Sequence, residues 1–80
     1  MIEIELGVFG DLRSYMEGMG IGDFQTLRCD DGSTVKDILS RLGIPETEAK
    51  IILVNGRAKK IDDELNEGDR LAIFPAVAGG

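Results

Sequence analysis

An 80-residue chain with 42% apolar residues can form one domain, with a core that one helix and a small sheet can enclose. One cysteine and no histidine exclude an internal disulfide, a Cys/His zinc staple and an iron–sulfur cluster, so packing alone has to hold the fold. A net charge of −6 and a pI ≈ 4.4 argue against nucleic-acid and anionic-membrane partners, both of which are recognised through Lys and Arg.

The first segment, IEIELGVF, alternates. Ile2, Ile4, Leu6 and Val8 share one face, and Glu3, Glu5, Gly7 and Phe9 share the other, which predicts a half-buried strand. Asp11 can cap a short helical turn in which Leu12, Tyr15, Met16 and Met19 fall on one side, before the glycines at 18, 20 and 22 end it. FQTLRC reads as a second strand, closed by the turn residues Asp30-Asp31-Gly32.

STVKDILSRLGIP predicts the main helix. Thr34 and Asp37 have capping-box spacing, Val35, Ile38, Leu39 and Leu42 form one apolar stripe, and Gly43 with Pro45 supplies the stop. IILV is apolar on both faces and β-rich, which suggests an interior strand. Asn55-Gly56 is a strong hairpin signal leading into RAKK. A polar connection anchored by Ile61 and Leu65 leads to RLAIF, with Leu71 and Ile73 on one face and Arg70, Ala72 and Phe74 on the other. The economical arrangement is a mixed sheet of four or five strands packed on one helix, an α+β domain over residues 1–75 followed by an extended tail over 76–80.

The chemistry of a catalyst is poorly represented. Carboxylates are plentiful but cluster at turns (Asp30, Asp31, Asp62, Asp63 and Asp69), where Asp is expected on conformational grounds, and no histidine can act as a base. Cys29 ends a strand and reads as a structural thiol, since a nucleophilic cysteine needs a base or a cationic setting. No glycine cluster has the strand-to-helix context of a phosphate loop. The expectation is a protein that is not an enzyme, binds no metal and has no cofactor of its own. With no apolar run long enough for a signal peptide or membrane span, the expected location is the cytoplasm.

Two features point to a partner. Phe9 and Phe74 interrupt otherwise polar or small outer faces, and if their strands lie parallel and adjacent, both rings fall at the same end of the sheet. With Pro75 and Val77 they would form an apolar patch where the tail departs, unless a loop such as 20–23 covers them. The tail ends in Gly79-Gly80. A carboxylate without flanking side chains can thread a narrow active site, and residues 74–80, fully extended, reach roughly 20 Å.

Four stretches in order along the chain carry a family resemblance: F-G-D-L-R at Phe9–Arg13, G-S-T-V-K-D-I-L-S-R-L-G-I at Gly32–Ile44, I-L-V-N-G at Ile52–Gly56, and L-N-E-G-D-R-L-A-I-F-P-A-V-A-G-G at Leu65–Gly80. Together they resemble the ubiquitin-like sulfur-carrier family (MoaD/ThiS), and Leu12-Arg13 and Phe74-Pro75 look closer to the small subunit of molybdopterin synthase than to the thiamine carrier. The resemblance implies a β-grasp fold with the first and last strands adjacent and parallel. It implies that the Gly80 carboxylate is adenylated by a ubiquitin-activating-type enzyme using ATP, then converted by a sulfur donor to a thiocarboxylate, with Gly79 needed for threading. It implies that Phe9, Arg13, Phe74 and Pro75 contact that enzyme or the synthase large subunit. Transfer to thiamine, cysteine or tRNA thiolation, or conjugation to lysines, would use the same residues. An interaction domain with an inert tail is the alternative of a different class.

Overall fold

The computed structural model describes residues 1–10, 12, 15 and 24–76. Among these residues five strands and one α-helix run in the order β1 (Ile2–Val8), β2 (Gln25–Cys29), α1 (Val35–Leu42), β3 (Ile51–Val54), β4 (Arg57–Ala58) and β5 (Arg70–Phe74), with a 3-10 turn at Glu46–Glu48. The strands form one mixed sheet in the order β2-β1-β5-β3-β4. β1 and β5 are parallel, in the register Leu6–Leu71 and Val8–Ile73, and the remaining pairs are antiparallel. This is the β-grasp arrangement, and the chain ends bring their strands together at its centre.

Strand alternation decides which side becomes the core. Ile4, Leu6 and Val8 of β1, Leu27 and Cys29 of β2, Ile52 and Val54 of β3, and Leu71 and Ile73 of β5 all face the helix and are buried. Val35, Ile38 and Leu39 of α1 close this layer from the other side. Each such side chain taken from water contributes about 1.5–3 kcal/mol, so this one layer carries most of the stability. Leu12 completes the core from outside the sheet, and Tyr15, Leu42 and Ile61 pack at its margin. Leu65 is buried in the long connection, in agreement with its expected role as an anchor.

The helix obeys its caps. The Thr34 hydroxyl accepts from the Asp37 N–H at 3.2 Å, and the Asp37 carboxylate accepts from the Thr34 N–H at 2.9 Å, so the box closes with Asp in place of the longer acid. Gly43 ends the helix with its N–H directed to the Leu39 and Ser40 carbonyls. Asn55 and Gly56, at φ 54° and 81°, make the two-residue hairpin between β3 and β4. Asn55 also reaches β5: its side chain donates to Asp69 at 2.9 Å and accepts from the Arg70 N–H at 3.0 Å.

β3 is interior by pairing, as expected, but only its helix-facing side is enclosed. Ile51 is 43% exposed and Leu53 half-buried, because α1 covers one face and, among the described residues, no second layer covers the other. The strand predicted for FQTLRC begins one residue later, at Gln25. Of the predicted turn, Leu12 and Tyr15 do face the core, while Asp11, Met16 and Met19 lie outside the described residues, as do 77–80 of the tail.

Candidate functional site

The face of the sheet away from the helix has two unlike ends. At the amino end of β1, cross-strand partners are ion pairs: Glu3 with Arg28 on β2, and Glu5 with Arg70 on β5, each at 3.2 Å. All four side chains are substantially exposed, so each pair adds little stability and mainly fixes which side chains point outward. At the carboxyl end of β1 and β5, where the tail leaves, the chemistry turns aromatic.

Phe9 and Phe74 are stacked, with centroids 4.7 Å apart and planes 11° from parallel. The parallel β1–β5 register produces this contact: Val8 faces Ile73, and one step further the two phenylalanines stand side by side on the outer face. Phe24 adds a third ring, edge-on to Phe9 at 5.8 Å and 71°. The Arg70 guanidinium lies 4.7 Å from the Phe24 centroid, so this arginine bridges the aromatic cluster and Glu5. Beside them Ala72, on the outer face of β5, carries too small a side chain to fill the space. An open depression of ≈ 580 Å³ results, bordered by Phe24, Leu53, Ala72, Arg70, Glu5 and Asn55.

Phe9 and Phe74 are therefore together and half-buried, with Pro75 beside them at the start of the tail. Arg13, Val77, Gly79 and Gly80, the other expected contact and reactive positions, lie outside the described residues, and so does the loop 20–23 that was the expected alternative cover. Sequence reasoning missed Phe24 and Ile51 as members of this face. For Phe24 a signal existed, since it has the same parity as Thr26 and Arg28 on β2, both of which point outward. Cys29 is buried in the core, as a structural thiol should be. Among the described residues no group of three His, Cys, Asp or Glu side chains could hold a metal ion, and no helix is long and apolar enough to cross a membrane.

Residues 1–79 match the family described as Mut7-C ubiquitin. The chain belongs to that family. Its fold is shared with the Haloferax volcanii HVO 2177 protein, at 30% identity and a TM-score of 0.75, over 99% of this chain and 87% of that one. The H. volcanii small archaeal modifier protein 1 is similar at 22% identity and a TM-score of 0.73, over 96% of this chain and all of that one. A Pyrococcus furiosus protein described as molybdopterin converting factor, subunit 1, gives 21% identity and a TM-score of 0.73, with the same coverage. The resemblance drawn from the sequence thus holds: this Mut7-C ubiquitin domain has the ubiquitin-like β-grasp fold found among molybdopterin converting factor subunits and small archaeal modifiers.

Proposed function

We propose that the protein is a sulfur carrier of the ubiquitin-like type. The observation that carries this reading is the stacked Phe9–Phe74 pair on the parallel β1–β5 strands, an apolar docking face at the root of a chain ending in Gly79-Gly80. The aromatic face holds a partner while the tail, without bulky side chains at its tip, enters that partner's active site. The partner is an adenylating enzyme of the ubiquitin-activating type. It uses ATP, and the Gly80 carboxylate attacks the α-phosphorus and expels pyrophosphate. A donor delivering sulfur at the sulfide level then attacks the acyl adenylate and AMP leaves, giving a thiocarboxylate. The chain supplies docking and substrate, and the partner supplies catalysis. ATP is the partner's cosubstrate, and nothing in this reading requires a cofactor bound to the carrier itself.

The sulfur is destined for molybdopterin synthesis in the cytoplasm, delivered through a synthase large subunit. Support comes from the Helicobacter pylori molybdopterin-converting factor, solved as a complex of its subunits 1 and 2, whose matched chain has this fold at 19% identity and a TM-score of 0.59. A second reading, conjugation of the same carboxylate to lysines of other proteins, is favoured by the likeness to a small archaeal modifier protein. Deleting Gly79-Gly80 separates both from an interaction domain with an inert tail. The truncated chain should still bind its partner through the aromatic face and lose all transfer, whereas full retention of function would overturn the carrier reading.

A further inference from the structure

The root of the tail is held from two sides. The Phe9 N–H donates to the Ile73 carbonyl at 3.0 Å, and the Lys50 N–H donates to the Phe74 carbonyl at 3.1 Å. Pro75 has no N–H, so the ladder cannot continue and the chain must leave the sheet there. The direction in which it leaves depends on what the proline ring rests against, and that is Gly10.

Among the described residues, Gly10 differs from the other glycines with positive φ. At Gly32, Gly43, Gly56 and Gly68 an added Cβ would meet nothing within 4 Å. At Gly10, where φ is +63°, a Cβ would lie 2.7 Å from Pro75 Cγ and 3.1 Å from its Cδ. The shorter distance is well inside the ~3.5–4.0 Å of normal carbon contact. A backbone turn alone would explain a glycine at the other positions. Here a neighbour requires the missing side chain, and that neighbour is the last residue before the tail. Gly10 also follows Phe9 directly, so one short segment holds both a docking ring and the seat of the tail.

We infer that Gly10 is a positioning residue: its bare backbone seats the Pro75 ring and sets the direction in which the chain leaves the sheet at Ala76, beside the Phe9–Phe74 pair. The inference rests on the carrier reading, in which the docked face and the reacting carboxylate must reach the partner together. A second depression, ≈ 220 Å³ and lined by Leu12, Thr47, Glu48, Lys50, Pro75 and Ala76, gives a displaced ring room to move. A side chain at position 10 therefore redirects the tail and leaves the domain folded.

Three variants separate the two demands on this residue. Gly10→Ala adds the Cβ and left-handed strain, Gly10→Asn adds the same Cβ on a residue that tolerates the left-handed region, and Gly32→Ala adds left-handed strain at φ +82°, where a Cβ meets nothing within 4 Å. Each is checked for folding by circular dichroism and assayed for ATP–pyrophosphate exchange with the adenylating enzyme. Both Gly10 variants should lose about tenfold in kcat/KM while folded, since small misplacements of a reacting group are amplified in rate. Gly32→Ala should keep the wild-type rate. Unchanged kcat/KM in the folded Gly10 variants overturns the inference, as does an equal loss in folded Gly32→Ala. Residual dipolar couplings of the Ala76 amide read the exit direction independently of activation, and the Gly10 variants should change them while Gly32→Ala leaves them unchanged. If the wild-type chain supports no exchange at all, the carrier reading fails, and the couplings still decide whether Gly10 directs the tail.

Discussion

Replacing Phe9 or Phe74 by Ser tests whether the aromatic face is a docking surface or an exposed corner of the core. Both rings are half-buried, so truncating one forfeits roughly 1–2 kcal/mol of the ~1.5–3 kcal/mol that full burial of a phenylalanine provides. Their stacking, at 4.7 Å and 11°, adds about 0.5–1.5 kcal/mol that either substitution removes. Each single variant should therefore lose about 2–3 kcal/mol. The double variant should lose about 1 kcal/mol less than the sum, because the stack can be lost only once. A domain of this length has a stability of about 4–12 kcal/mol, so the single variants remain folded. Urea unfolding of the four proteins in the cycle measures these quantities. Calorimetric titration with the adenylating enzyme measures the partner side, where loss of an aromatic anchor worth about 2 kcal/mol weakens binding about thirty-fold. A single substitution that unfolds the domain would place the rings in the core. Folded variants that bind as tightly as the wild type would refute the docking surface, and strictly additive stability losses would refute the stack.

Two other expectations concern the frame. Thr34→Ala removes half of the capping box and should cost about 1 kcal/mol in urea unfolding, with Thr34→Ser retaining most of it; equal losses from both would point away from the hydroxyl. Tyr15 donates to the Glu48 carboxylate at 3.1 Å, and this bond, with desolvation and the carboxylate charge, raises its pKa above 10.0. Because the folded-state value is the higher one, the stabilisation is complete below pH 10.0 and is lost as pH rises through the raised value. Tyr15 is the one tyrosine in the chain, so tyrosinate absorbance follows it directly. Glu48→Gln should return the titration towards 10.0, and an unchanged midpoint would contradict the role of Glu48.

The elements most legible in the sequence were those whose signals are local. Thr34, Asp37 and Gly43 name the ends of α1 because caps are satisfied by residues within one turn, and Asn55-Gly56 names its hairpin because few residues accept its torsions. The parallel pairing of β1 with β5 is a contact between the two ends of the chain, and alternation alone does not specify it; the family resemblance supplied it. The face opposite the helix was partly legible. Phe9 and Phe74 stood out as apolar residues in outward positions, but Phe24 was hidden at a strand boundary, and its place depends on the antiparallel register that puts Gln25 opposite Leu6. Ile51 was read as part of a strand apolar on both sides. Whether its outer side is covered depends on how many layers the fold has, which a four-residue run cannot reveal. The Gly10–Pro75 contact joins residues far apart in sequence, and no pattern within either segment announces it.

The central claim is that the terminal carboxylate is the reacting group, and intact mass spectrometry tests it most directly. The chain is incubated with the adenylating enzyme, ATP and a sulfide-level donor, alongside a known carrier that shows the enzyme to be active. The account predicts a mass gain equal to the exchange of one oxygen for one sulfur, localised to Gly80 by fragmentation and absent without ATP. An unchanged mass beside a converted control carrier would contradict it.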